Sequence, residues 1–361
     1  MINSVQLKNF GPLTEIDWQN LGPINLVIGN NGCGKSFLLK AIYSAVRTLE
    51  DYKRGDNPDR PDHILLNKLF WTFQAEGVGN LISYASDTDL SFSLALNDSK
   101  FSYRLAKPFR NAIDGWINNV PPRKDNSIFL PAKEILSFYR IILKSRQQDQ
   151  LFGFDDTYLD LARALQILPG KDHMDAAVRD FFTNEEVPTK GCGSWDFHSA
   201  TARLNEAIDG EIKFDESTNQ WYFERLELYQ KNRERYAIGA TAEGIKKIAV
   251  LDVLLKNGYL NENSIIFIDE PESTLHPELI SKFMDIIAIL AKHGIQFFLA
   301  SHSYFVIKKL FLIAQEQKIS IPVLSKEGDN WLQSDLLDDM PDNPIIDESI
   351  RLYKEEVNLP S

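Results

Sequence analysis

Cysteine is scarce in this chain: two residues in 361, Cys33 and Cys192. That is too few for a disulfide scaffold or a cysteine-ligated zinc site, and a reducing, cytoplasmic setting is expected. No apolar run approaches the length of about 18 residues that suggests a bilayer span, and Met1 to Lys8 lacks a signal-peptide pattern. No membrane partner is expected. Basic excess is also missing: 39 Lys and Arg against 51 Asp and Glu leave a net charge of −12. A nucleic-acid surface covering the whole protein is therefore excluded, and any DNA or RNA contact would be local and salt-sensitive. There is no internal repeat, no low-complexity tract and no sustained heptad pattern, so a long coiled-coil arm is excluded. What remains, 43% hydrophobic and 25% charged residues, is the composition of a globular chain with an ordinary core, in one large domain or two.

Against that background one stretch stands out. The apolar run Ile24-Asn25-Leu26-Val27-Ile28 leads into Gly29-Asn30-Asn31-Gly32-Cys33-Gly34-Lys35-Ser36, and Phe37-Leu38-Leu39-Lys40-Ala41-Ile42 follows. This is a strand, a glycine-rich loop and a helix, with the spacing G-x-x-x-x-G-K-[ST] of a phosphate-binding loop. Glycines let successive N–H groups converge on one anion, and the helix N-terminus adds its dipole. Residues Gly29 to Phe37 are expected to hold a nucleotide. Lys35 is placed to reach the β- and γ-phosphates, and Ser36 to ligate Mg²⁺.

Around this stretch the pattern predicts strands over Val5–Asn9 and Leu13–Trp18, and a helix from Lys35 to about Leu49. A second helix is expected over Ile64–Gln74. Alternation over 90–96 and 101–105 across Asn97-Asp98 reads as a hairpin, and residues 106–126 read as irregular. Ser127–Pro131 reads as a buried strand, followed by a helix from Ala132 to Arg146. Helical segments are expected within 150–209, then a hairpin over 211–215 and 220–224. From residue 242 apolar strands alternate with helices: helix 243–256, strand 264–268, helix 277–292, strand 295–300, helix 303–315 and strand 319–324. That alternation implies a parallel sheet with helices on its faces.

Ligands bind at the C-terminal ends of strands in open α/β sheets. Ile265-Ile266-Phe267-Ile268-Asp269-Glu270 places two carboxylates there. Asp269 is the expected metal-side carboxylate, and Glu270 is placed to polarise an attacking water. A solvated Asp-Glu pair at a strand end is the plainer alternative. Ser301-His302-Ser303 follows the next strand. His302 gains interest from that position, since a lone strand-end histidine is ordinarily structural.

Taken together, GNNGCGKS, IIFIDEPESTLHPE and FFLASHS resemble the ABC-type ATPases of the RecF, SMC and OLD branch. The nearest likeness is to compact bacterial AAA-family ATPases with an ABC-like head, of the kind found in phage-defence operons. The resemblance spans nearly the whole chain, from Leu7-Lys8-Asn9-Phe10-Gly11 to Asn343-Pro344-Ile345-Ile346-Asp347. It implies an α/β P-loop NTPase of ABC-ATPase type, with a mixed and parallel sheet, flanking helices and a helical and hairpin lid insertion. The head's halves would be 1–149 and 237–361, with the insertion at 150–236. It implies Pro271–Pro277 as a loop crossing a dimer interface, and His302 as the switch histidine sensing the γ-phosphate.

The same resemblance makes Thr241, Ala242, Glu243 and Gly244 the signature element that binds the partner subunit's nucleotide. Here Ala242 stands where the family carries serine, and Glu243 is acidic. An ordinary helix N-terminus capped by Thr241 is the alternative. The glutamine loop maps onto Leu130–Glu134, which holds no glutamine.

The function implied is an ATPase, using ATP and Mg²⁺, with Glu270, His302 and Lys35 catalytic and with Ser36 and Asp269 on the metal. It would form a homodimer or higher oligomer on ATP. As a switch it would control a separate effector such as a nuclease or toxin, because the stretch after the last strand is too short for a nuclease domain. The alternative is a RecF-like repair ATPase acting on DNA directly. Lys133, Arg140, Lys144 and Arg146 at helical spacing, and Arg225, Lys231, Arg233 and Arg235, are the stretches that could touch nucleic acid or an effector. Trp195, His198 and Cys192 read as packing residues.

Overall fold

The structure, a computed structural model, describes residues 1–55, 59–109, 112–167, 198–225, 234–328, 330–341 and 344–359. Cys192, Trp195, Lys231 and Arg233 lie outside them. In chain order the elements are β1 (Ile2–Phe10), β2 (Leu13–Trp18), β3 (Ile24–Ile28), α1 (Lys35–Asp51), α2 (Pro61–Phe73), β4 (Leu90–Leu96), β5 (Ser99–Leu105), β6 (Asp114–Asn118) and β7 (Ile128–Leu130). Then come α3 (Tyr139–Leu143), α4 (Asp156–Ala164), α5 (His198–Ala207), β8 (Gly210–Asp215), β9 (Gln220–Arg225), β10 (Arg235–Ala237) and α6 (Glu243–Lys256). The last are β11 (Ile265–Asp269), α7 (Pro277–Lys292), β12 (Gln296–Ser301), α8 (Tyr304–Gln317), β13 (Pro322–Glu327), β14 (Asn330–Asp335) and α9 (Pro344–Val357).

Six strands form the central sheet in the order β14-β13-β3-β12-β11-β7. All neighbours are parallel except the β13–β14 hairpin. Apart from the edge strand β14, the strands are buried on both faces, which is why they read as apolar runs. Ile266, Ile268, Leu26 and Leu299 face one core; Phe267, Val27 and Phe298 face the other. On the second face Phe129, Phe267 and Phe298 lie in register across three strands, with ring centroids 6.3 and 5.1 Å apart. A one-residue slip would turn this ladder to the wrong face. The register it fixes sets Asp269 opposite Ala300 at the strand ends.

A five-stranded antiparallel sheet, β2-β1-β4-β5-β6, covers the other side of α1. Helix α1 is consequently buried on nearly every face. The charges it carries inward are paired. Arg47 meets Glu50 at 2.8 Å, Asp51 at 3.2 Å and Asp160 of α4 at 3.4 Å. Lys68 of α2 meets Asp51, Asp156 and Asp160 at 3.2 to 3.5 Å. Asp160 is also bonded by Tyr43 Oη at 2.8 Å. Burial opposes ionisation of Asp160, yet Lys68 and Arg47 hold its carboxyl well below the usual range. Helix α4, at the start of the stretch read as an insertion, is thus locked to α1 and α2.

Two local expectations are corrected and a third feature is added. Residues 106–126 are not wholly irregular, because Asp114–Asn118 adds the edge strand β6. The helix expected over 132–146 is interrupted: turns occupy 132–138, and α3 passes into a π-helical turn over Lys144–Gln148. That turn swings Arg146 inward, where it bonds Asp156 at 2.8 Å and lies 4.0 Å from the Trp71 ring centre. Arg146 therefore leaves the basic stripe, although Lys133, Arg140 and Lys144 stay exposed. Third, a strand β10 joins the 210–225 hairpin, its Arg235 paired with Asp215 and lying 3.7 Å from the Tyr222 ring centre. Arg225 is paired with Asp209 at 3.3 Å. Among the described residues no helix is long and apolar enough to cross a membrane.

Candidate functional site

The glycine-rich loop sits between the end of β3 and the start of α1. Gly34 precedes the helix at φ +103, and a Cβ there would come within 2.7 Å of Leu13. Backbone freedom and close approach both require glycine. No side chain caps the helix start, so its first N–H groups stay available to an anion. Lys35 is buried, and its Nζ donates to the carbonyls of Gly29 at 2.8 Å and Asn30 at 3.0 Å. The loop thereby keeps a cation at its own mouth. Asn31, Gly32, Gly34, Lys35, Ser36 and Phe37 line a cleft of about 580 Å³, which Glu270 also borders.

The strand order carries the rest of the site to this loop. Ser36 Oγ donates to Asp269 Oδ1 at 2.8 Å, across 233 positions of sequence. Burial pushes the Asp269 carboxyl above its ordinary range, the Ser36 hydrogen bond opposes that, and the Glu270 charge adds to it. Glu270 turns off the strand at φ +47, its N–H held by Ala300 O at 2.9 Å. His302 Nδ1 stands 3.5 Å from Glu270 Oε1 and 3.4 Å from Glu272 Oε1 without a hydrogen bond to either. Glu272 Oε1 accepts from Ser301 Oγ and His302 N, both at 2.9 Å, while its Oε2 is buried without a partner.

Thr241, Ala242, Glu243 and Gly244 are not brought to the cleft of their own chain. Ala242 is the N-cap of α6 and makes no side-chain cap; Thr241 Oγ1 bonds Ala237 O instead, so Thr241 is not the capping residue. Gly244 lets α6 approach the 270–277 loop closely, since a Cβ would meet Leu275 at 2.6 Å and the Thr274 carbonyl oxygen at 2.8 Å. Cys33 lies in the loop as a free thiol.

The role of one residue escaped sequence reasoning. Lys247, one turn into α6, donates through Nζ to the carbonyls of Asp269 (3.2 Å) and Glu270. Burial pulls its ammonium down to about 8, against the pull of Glu272, Asp269 and Glu270. It follows Lys246, which reaches Glu134 at 3.4 Å and Ser137 at 3.0 Å. The segment Leu130–Glu134 thus lies beside the Asp269 strand through β7 and touches α6 through Glu134. Two adjacent lysines in an otherwise largely apolar helix were the available signal, and it does not tell a buried lysine from an exposed one.

Solved structures that resemble this chain include heads of SMC proteins. The head bound to the C-winged helix domain of ScpA matches with a TM-score of 0.54 and 14% identity, over 92% of this chain and 97% of that one. The SMC head domain from Thermotoga maritima matches at 0.44 and 12% identity, over 92% and 98%. The Smc head with an extended coiled coil, bound to the C-terminal domain of ScpA derived from Pyrococcus furiosus, matches at 0.49 and 12%, over 99% of each chain. At these identities the first likeness speaks for the fold, that of an α/β P-loop NTPase of ABC type. No protein of curated function matches in sequence. The profile of the family described as "AAA domain, putative AbiEii toxin, Type IV TA system" matches residues 24–308. Loop, strand-end carboxylates, sheet order and profile agree, and the chain belongs to that family as a compact AAA ATPase with an ABC-like head.

Proposed function

We propose that the protein binds and hydrolyses ATP with Mg²⁺, and that two copies close on the nucleotide to switch a separate effector in bacterial anti-phage defence. The observation that carries this reading is the convergence of Ser36, Asp269, Glu270 and His302 on the mouth of the glycine-rich loop. The loop N–H groups and Lys35 would grip the phosphates, Lys35 exchanging its hold on loop carbonyls for phosphate oxygens. Ser36 Oγ and Asp269 Oδ1, already 2.8 Å apart, are hard oxygen donors of the kind Mg²⁺ takes alongside phosphates. The metal, when bound, would neutralise charge building on the phosphates. Glu270 would orient the attacking water and accept its proton. His302, held by backbone contact to Glu272 beside Glu270, would stand at the γ-phosphate end.

The Thr241–Gly244 turn stays outside its own chain's cleft, which fits a role at a partner's nucleotide. The toxin–antitoxin wording of the family description supports a defence setting and a separate effector. Replacing Glu270 with Gln is expected to lower turnover by about 10²- to 10⁴-fold and to trap an ATP-bound dimer on size exclusion. A variant that hydrolyses normally, or that stays monomeric in ATP, sinks the catalytic or the dimer part respectively.

A further inference from the structure

We propose that Lys40 is a resident counter-cation of the candidate metal position, which shuts a free divalent ion out of Ser36 and Asp269 until nucleotide phosphates arrive. The inference rests on the nucleotide reading above and adds to it the order in which metal and nucleotide enter. Lys40 lies one turn after Ser36 on α1, so the two side chains share a helix face. Both line the cleft, together with Asp155 and Glu270. Lys40 Nζ bonds Asp155 Oδ2 at 2.6 Å. Its side chain remains 24% exposed, against 9% for Lys68 on α2. Lys40 and Lys247 both draw on the Asp269 carboxyl, Lys40 the more strongly. Lys35, by contrast, turns its Nζ to the Gly29 and Asn30 carbonyls. Lys40 is thus the cation that bonds one carboxylate of the cleft while acting on another.

The pair is anchored from the far side. Asp155 caps α4, its Oδ1 accepting from Thr157 N at 2.8 Å. Helix α4 is in turn tied to α1 and α2 through Asp156 and Asp160. The carboxylate is therefore fixed, and it holds the ammonium at the cleft. A divalent ion between Ser36 and Asp269 would meet this charge about one helical turn away. At about 6 Å that repulsion amounts to roughly tenfold in affinity even with the dielectric constant of water. Without the charge of Lys40, Asp155, Asp269 and Glu270 would form an oxygen-rich wall of the kind divalent cations take. A nucleotide reverses the balance, because its phosphates bring several negative charges against one ammonium. Lys40 then stays on Asp155 while the phosphates supply the attraction that Ser36 and Asp269 lack alone.

The test reads binding of Mn²⁺ to the full chain without nucleotide, followed by the electron paramagnetic resonance signal of the free ion. The proteins are the unaltered chain, Lys40→Gln, which keeps a donor to Asp155, and Lys40→Arg, which keeps the charge. Lys40→Met serves as a second neutral variant, and Lys40→Gln is also combined with Asp269→Asn. Both neutral variants are expected to bind Mn²⁺ about tenfold tighter than the unaltered chain. Lys40→Arg should bind it as the unaltered chain does, and Asp269→Asn should remove the gain. Equal Mn²⁺ affinity in the neutral variants and the unaltered chain overturns the inference. So does a gain shared by Lys40→Arg, or one that survives Asp269→Asn. ATP binding in the presence of Mg²⁺ is measured beside it, and ATP bound by the neutral variants shows that they are folded. If Lys35→Ala abolishes ATP binding, the nucleotide reading survives a failure of the Mn²⁺ result. An unaltered chain that binds no ATP overturns both.

Discussion

Two groups of buried charge lie about α1 and at the strand ends, and they are built differently. Between α1, α2 and α4, Arg47 and Lys68 each meet several carboxylates at 2.8 to 3.5 Å. At the strand ends Asp269, Glu270 and Glu272 crowd around one lysine, Lys247, whose hydrogen bonds go to backbone carbonyls. Glu272 Oε2 and His302 Nδ1 there have no hydrogen-bond partner. With Arg146 on Asp156 and Arg123 beside Glu50, the first group has four cations for its four carboxylates, and it serves the fold. The second is left with a surplus of negative charge and open polar atoms, the arrangement expected where a cation and a polyanion are received in turn.

The sharpest way to break this comparison is to unmatch the first group. Arg47→Met leaves Glu50, Asp51 and Asp160 without their shared cation and is expected to destabilise by about 3–5 kcal/mol. Denaturant midpoints with an unchanged slope would report it; a loss below 1 kcal/mol would mean that the cluster is no fold determinant.

Lys247→Met probes the second group. With a folded value of about 8 against the ordinary 10.5, the unfolded chain binds more protons between those pH values. Stability from this group therefore rises as pH goes from 8 to 10.5, by about 3 kcal/mol at most. The methionine variant should lose that rise, and its turnover should fall because the carbonyls behind both carboxylates lose their donor. Parallel pH–stability curves for the two proteins would contradict the assignment. The smallest effect belongs to Arg235→Ala, whose pair with Asp215 is on the surface. Its unfolding midpoint should match the unaltered chain, in low and high salt alike.

What was readable in the sequence follows the same division. The loop, β11, β12 and the carboxylates at the end of β11 rest on short-range patterns: glycine spacing, unbroken apolar runs, and acidic residues where they stop. Helices α6 and α7 have the bounds expected of them, 243–256 and 277–292, because Pro277 starts one and Asn257-Gly258 follows the other. Arg47, Lys68 and Lys247 were not legible as interior residues. A charge on a helix reads as solvent-facing until the partner, here Asp160 or a strand-end carbonyl, is known. Arg146 was misplaced for a related reason: its helical spacing with Lys133 and Arg140 held only if the helix ran unbroken. Strand β6 was hidden because it lies at a sheet edge, with half-exposed Trp116 and no apolar run.

Strand β3, which ends in the glycine-rich loop, lies between β12 and β13. Asn25 bonds the carbonyl of Phe297, 272 positions further on. At a synthesis rate of about 5–20 residues per second, that interval lasts tens of seconds. Throughout it the newly made strand has no strand neighbour, and for most of it the loop has no Asp269 to meet. The nascent chain therefore cannot acquire this ligand site early and must protect an apolar strand while it waits. Functional maturation and completion of the sheet become one late event, which makes premature termination anywhere before β12 equivalent to making no site at all.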